Sequence, residues 1–150
     1  MLLIAAKTSF SQDSHENTKK IITQMFDFIN KKDIEGAVAL IDANAIDHTP
    51  FPGQQQGLEG FRDIFKMFFT AFPDFNQEII SLIINPEGTQ ACVLVKMRGT
   101  HKGDFMGTPG TGNKFDVLGS DIIYFKNGKA TEHWGFIDTD TMMKQLGMMK

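Results

Sequence analysis

Residues 115–137 constrain the fold more than any other stretch of the chain. Two apolar-rich runs, 115–125 and 130–137, flank Lys126-Asn127-Gly128-Lys129. Asn-Gly readily supplies the positive φ that both central residues of a type I′ turn require, so the segment predicts a β-hairpin. A two-residue loop sets the register: Lys126 faces Lys129, Phe125 faces Ala130, Ile123 faces Glu132 and Asp121 faces Trp134. Because side chains alternate along a strand, Phe115, Val117, Asp121, Ile123, Phe125, Ala130, Glu132, Trp134 and Phe136 then share one sheet face. That face is apolar apart from two carboxylates.

An unpaired carboxylate among Phe, Val, Ile and Trp is costly, which gives such a residue either a partner or a function. In this register Asp121 and Glu132 are diagonal neighbours, roughly 7–8 Å apart at Cα, and could divide general-acid and general-base work. The alternative is that each lies near a sheet end and reaches water or a basic group.

The rest of the chain supplies the setting. Its 150 residues suffice for one domain with a full core. A single cysteine, Cys92, excludes an intramolecular disulfide and sits in the apolar run 91–95 as a small hydrophobe. A net charge of −3 with scattered basic residues argues against a nucleic-acid partner, and no apolar run is long enough to cross a membrane. Residues 1–16 read either as a loose N-terminus or as a truncated secretory leader, so both a cytoplasmic and an exported location stay open.

Helical spacing of Ile21, Ile22, Met25, Phe26 and Ile29 predicts a helix over 18–30, and Asp33 is placed to cap a second one over 33–41. The segment 47–53, with two prolines and a glycine, reads as irregular. Phe61, Ile64, Phe65, Phe68, Phe69 and Phe72 mark a third helix, laid flat on a sheet and ended by Pro73. Strands follow over 75–84, read as buried on both faces, and over 89–101. Asp138 is then expected to cap a last helix ending at Gly147. Helices followed by a run of antiparallel strands define an α+β domain; a strongly curled sheet would make it a cone around an apolar pocket.

Four groups of residues carry a family resemblance. They are Asp47-His48-Thr49-Pro50, Ala71-Phe72-Pro73-Asp74, the glycine-rich stretch 99–112, and Asn127-Gly128-Lys129 with Glu132-His133-Trp134. In order and spacing over residues 17–147 they resemble the SnoaL-like polyketide cyclases, or ester cyclases, of the nuclear transport factor 2-like superfamily. The resemblance implies one domain over 17–150, a cone of curved antiparallel sheet with three to four helices enclosing a pocket, and a homodimer. It also implies a small hydrophobic molecule as partner and, as in the characterised cyclases, ring closure of an aromatic polyketide by intramolecular aldol condensation, with no metal and no cofactor. The superfamily also holds isomerases, dehydratases, hydrolases and proteins without known activity, so the fold alone does not fix the chemistry.

The chain departs from the family where the chemistry sits. The main acid/base aspartate of the cyclases corresponds to Gly135, and their second polar pocket group, a histidine, corresponds to Asp121. The hairpin register puts these two positions on opposite faces, whereas the family brings both into the pocket. Either a β-bulge shifts the phase or one of the two assignments is wrong; a bulge before His133 would turn His133 inward in place of Glu132.

The expected catalytic set is therefore Asp121 as base, with His133, His101 or His48 as partner acid. Glu132, Trp134, Phe65 and Phe105 are expected to touch the ligand, Trp134 by stacking on a planar molecule. Each histidine also has a structural reading, as a loop or strand-end residue bonded to backbone. Turn chemistry, with the loop forming a flap over the pocket, suits the glycine-rich stretch better than a phosphate cradle. Two further readings remain: a small-molecule-binding protein without catalysis, because of Gly135, and an interaction module whose pocket is filled by its own side chains.

Overall fold

The computed structural model describes the backbone of residues 2–149 and the side chains of residues 13–149. Most side chains of the segment expected to be a loose terminus or leader lie outside the described ones. The chain forms an α+β fold with the elements α1 Leu2–Asn30, α2 Ile34–Val38, β1 Ile41–Asp47, α3 Gly57–Ala71, β2 Asn76–Ile84, β3 Gln90–Thr100, β4 Lys114–Lys126, β5 Lys129–Ile137 and α4 Thr139–Gln145. The five strands make one curved open sheet in the order β1-β5-β4-β3-β2. No helix among the described residues is long and apolar enough to cross a membrane.

Local signals place the ends of the helices. The Asp33 carboxylate accepts from Gly36 N at 2.8 Å and starts α2, and the Asp138 carboxylate accepts from Thr141 N at 3.2 Å and starts α4. Gly147, at φ 72°, closes α4 in the left-handed conformation that a helix C-terminus favours. The turn between β4 and β5 has φ 52° at Asn127 and 75° at Gly128, as a type I′ hairpin requires.

Three expectations need correction. Helix α2 stops at Val38, and Ile41 opens a strand that the sequence reading missed; β1 pairs in parallel with β5, bringing Asp47 opposite His133. Residues 41–47 lack clean apolar alternation, since only Ile41, Ala45 and Asp47 are buried, so the strand leaves little period-2 signal. Strand β2 is an edge strand, not one buried on both faces, and leaves Ile80 and Ile83 exposed beside a register shift between Ile79 and Ser81.

The third correction concerns the hairpin. Phe125 does face Ala130, but Tyr124 then faces Glu132, so Thr131 is an extra residue on β5. Beyond it Ile123 faces His133, Ile122 faces Trp134 and Asp121 faces Gly135. One inserted residue exchanges the two faces of everything downstream, because the side-chain period is two. His133 and Gly135 thus join Asp121 on the concave side, while Glu132, Trp134 and Phe136 move to the convex side.

The core fills the concavity. Inward residues of the sheet, including Val93, Val95, Met97, Val117 and Ile123, pack against Ile22, Met25, Phe26 and Ile29 of α1 and Phe61 and Phe68 of α3. Residues 101–113 do not act as a flap. Lys102 N and Gly103 N donate to Ala71 O at the end of α3, and Phe105 is buried against Phe68 and Phe72.

Candidate active site

Between sheet and helices lies a cavity of about 350 Å³, within the usual range for a small-molecule site. Its walls are apolar: Met25, Phe26 and Ile29 from α1, Phe61, Phe65 and Phe68 from α3, Phe51 from the loop after β1, and Val95, Met97 and Ile123 from the sheet. An open cavity sets aside the reading in which side chains fill the pocket.

Three ionisable side chains from three strands meet in one wall. His133 Nε2 lies 3.0 Å from Asp121 Oδ1, and His133 Nδ1 lies 3.3 Å from Asp47 Oδ1. β4 brings Asp121, β5 brings His133 through the bulge, and the parallel pairing of β1 brings Asp47. Phe61 stands edge-on to the imidazole at 5.8 Å, and about a quarter of the His133 side chain stays accessible.

Asp47 is fixed from every side. Its Oδ1 accepts from Thr49 N at 3.0 Å and its Oδ2 from Gln54 Nε2 at 2.9 Å. The Gln56 side chain brackets its backbone, accepting from Asp47 N at 2.8 Å and donating to Asp47 O at 2.9 Å. Thr49 Oγ1 in turn accepts from Gly135 N at 2.7 Å. The irregular segment after β1 is thereby a clamp that holds a buried carboxylate against the imidazole. Sequence reasoning missed Asp47, Gln54 and Gln56 as site residues; the available signal was the acid of the Asp-His-Thr-Pro motif followed by the run 54–56.

Electrostatics follow from this geometry. Burial would lower the pKa of His133, but hydrogen bonds and charges from Asp121 and Asp47 outweigh it and raise the imidazole to about 9. Burial would likewise raise the Asp47 carboxyl, and the bonds from His133, Gln54 and Thr49 overcome it and hold the pKa below its ordinary value. At neutral pH the wall therefore carries an imidazolium between two carboxylates. With both ring nitrogens donating, His133 has no lone pair for a substrate proton. Asp121 bonds it through Oδ1, so Oδ2 is the oxygen available to a ligand.

Gly135 belongs to the same arrangement. A Cβ built there would stand 2.8 Å from His133 Cε1, 3.2 Å from His133 Nε2 and 3.5 Å from Asp121 Oδ1. The imidazole occupies the space that a side chain at 135 would take.

The remaining expected residues divide. Phe65 lines the cavity, as does part of Glu132. The Glu132 carboxylate bonds His48 Nε2 at 2.7 Å, and the His48 ring lies parallel to the Trp134 indole at 4.0 Å, with Tyr124 at 5.1 Å from the indole. This second group sits on the convex face, where the bulge has carried Glu132 and Trp134. His101 is fully buried outside the cavity wall, packed on Phe72, with Nδ1 accepting from Thr111 N at 3.3 Å. Phe105 packs beside it in the core and does not line the cavity.

A curved sheet and helices around such a cavity define the cone of the nuclear transport factor 2-like class. The chain belongs to the SnoaL-like polyketide cyclase family, whose profile matches residues 19–146. Among solved structures it is similar to AclR of Streptomyces galilaeus, a proposed hydroxylase, at 20% identity and TM-score 0.79, covering 91% of this chain and 99% of that one. It is also similar to IdmH of Streptomyces antibioticus, a proposed polyketide cyclase, at 26% identity and TM-score 0.75 over 87% and 98% of the two chains. A proposed polyketide cyclase of Bacillus cereus ATCC 10987 aligns at 26% identity and TM-score 0.77 over 89% and 83%. No curated protein matches the chain in sequence.

Proposed function

We propose that the protein is a cofactor-independent enzyme that moves a proton on a small, largely apolar carbonyl compound. The observation that carries this reading is the line Asp47–His133–Asp121 in the wall of an otherwise apolar cavity. Asp121 Oδ2 takes a proton from the carbon next to the carbonyl, leaving an enolate. The adjacent imidazolium, anchored by Asp47, offsets the negative charge that passes to the substrate. The enolate carbon then attacks a second carbonyl of the same molecule and closes a ring, or takes the proton back at another carbon and isomerises the substrate. In either course the proton lent to Asp121 is returned and the protein ends unchanged.

The binding-only alternative drew its force from Gly135. That force is weakened because the carboxylate across the strand pair and the imidazole two residues back flank the same point, within 3.5 Å of a Cβ at 135. The carboxylate, Asp121, stands at the position where the resemblance led one to expect a histidine, and the imidazole comes from His133, two residues before the position expected to hold the aspartate.

The test is α-proton exchange of enolisable ketones in deuterated water, followed by NMR, for the wild type and Asp121→Asn. Loss of exchange in the variant with the fold retained is the expected result; equal rates would remove Asp121 from the mechanism.

The same proposal extends to a homodimer. The convex face carries a row across four strands, Ile83, Cys92, Ile122 and Trp134, beside exposed Leu94, Leu118 and Phe136. It is bordered by the ion pairs of Arg98 with Glu78 and Asp116 and of Lys96 with Asp116. A border of both signs suits a second copy of the same face. Sedimentation of the wild type as a dimer and of Ile122→Lys as a monomer is expected, and a monomeric wild type would contradict it.

A further inference from the structure

Far from the Asp121 end, the cavity wall contains one more polar side chain, Gln77 at the start of β2. Its backbone is locked to α1: Gln77 N donates to Asn30 Oδ1 at 2.8 Å, and Asn30 Nδ2 donates to Gln77 O at 2.8 Å. The side chain has no such anchor. Gln77 Oε1 is buried and without a hydrogen-bond partner, one of two such atoms among the described residues. Leaving a buried acceptor unpaired is unfavourable, and an apolar residue of similar size would fill the same wall without that cost.

The register fixes where this oxygen stands relative to the chemistry. Asp121 faces Val93 and Gln77 faces Met97, on opposite sides of β3. Two strand spacings across and four residues along give roughly 16 Å between the Cα atoms of Asp121 and Gln77. Both side chains point into the cavity, so the span between their polar ends is shorter than that. Phenylalanine, isoleucine and methionine walls lie between.

Resting on the acid/base reading above, we infer that Gln77 is the specificity-determining residue for the far end of the ligand. In the observed rotamer Oε1 is closed off; a half-turn of the amide about its last side-chain bond exchanges Oε1 with Nε2 and lets Oε1 accept a hydrogen bond from a hydroxyl in the cavity. The substrate class is thereby narrowed to elongated, apolar, bifunctional molecules: a ketone at the Asp121 end, a flat hydrocarbon middle and a hydroxyl at the other end. A ligand without that hydroxyl leaves Oε1 unpaired and is bound less tightly.

The test uses two rigid ketones that differ in one group, 4-(4-hydroxyphenyl)cyclohexanone and 4-phenylcyclohexanone, titrated calorimetrically into the wild type and Gln77→Leu. The expected result is a preference of about tenfold for the hydroxyl compound in the wild type, the upper range for one neutral hydrogen bond, which disappears in Gln77→Leu. An equal preference in both proteins, or no preference or no binding in the wild type, would overturn the inference. Thermal denaturation of the ligand-free proteins adds a second criterion. Gln77→Leu is expected to melt at or above the wild-type temperature, and a fall of several degrees would make the amide a structural group and overturn the assignment. The acid/base reading is judged apart from this, by the dependence of α-proton exchange on Asp121, which does not enter the affinity ratio.

Discussion

The β4–β5 hairpin carries a carboxylate–imidazole contact on each of its faces, and the two differ in ways that separate chemistry from surface structure. On the concave face His133 has a carboxylate on each ring nitrogen, at 3.0 and 3.3 Å, and Phe61 over its ring. On the convex face His48 has one, Glu132 at 2.7 Å, with about a third of each side chain exposed and the ring stacked on Trp134. The outer contact is the shorter, yet solvent screens it and it holds a single partner. The inner imidazole keeps about a quarter of its side chain exposed but is doubly bonded, one partner being the buried Asp47, and it is raised to about 9. A second, buried carboxylate, more than distance, decides which pair can support proton transfer.

Substitutions on the two faces sharpen this contrast. Removing the inner base, Asp121→Asn, is expected to slow α-proton exchange by about 10²–10⁴-fold, the usual worth of a positioned general base. Glu132→Gln and His48→Ala on the outer face are expected to leave the exchange within a few-fold of the wild type, and comparable losses on both faces would break the distinction. Asp47→Asn takes one charge from the imidazolium and disturbs a buried, fully bonded carboxylate. Denaturant unfolding is expected to show a loss of about 3 kcal/mol, against about 0.5 kcal/mol for Glu132→Gln.

The pH dependence of stability bears on the same point with the opposite sign from ordinary acid unfolding. The folded-state pKa of His133 lies above its unfolded value of 6.5, at about 9. Its contribution is therefore fully present below about pH 6.5 and is lost as pH rises through about 9. The melting temperature is expected to fall by several degrees between pH 6.5 and 9.5, and to fall less in Asp121→Asn. Gly135→Ala should have a smaller effect, about 1–3 kcal/mol, because its Cβ would stand 2.8 Å from His133 Cε1 and force the ring aside. A neutral or stabilising outcome in a thermal melt would show that the ring has room to move.

The same hairpin shows how far the chain could be read in advance. The turn was legible because Asn127-Gly128 states its own backbone geometry, and the phenylalanine stripe of α3 was legible because 3.6-residue periodicity over fifteen residues is hard to produce otherwise. Asp121 was found because an acid in an apolar alternating strand stands out. Glu132 and Trp134 were placed inward because nothing in Ala130-Thr131-Glu132 announces an extra residue; the bulge is fixed by pairing with β1 on one side and β4 on the other. Asp47 escaped for a related reason. Its role depends on a parallel pairing across 86 positions of sequence, which no local pattern encodes. The family resemblance did point to the bulge, because it conflicted with the hairpin register at Gly135 and so raised an inward His133 as the alternative that the pairing bears out.

The central claim is that an imidazolium is held between two carboxylates inside an apolar cavity. Its most direct test is a titration of the His133 ring nitrogens by ¹⁵N NMR from pH 6 to 10, assigned by the signal missing in His133→Gln. Both nitrogens protonated at pH 7, with a midpoint near 9, is the expected result. A ring already neutral at pH 7 would contradict it and would return the proton-accepting role to His133 itself.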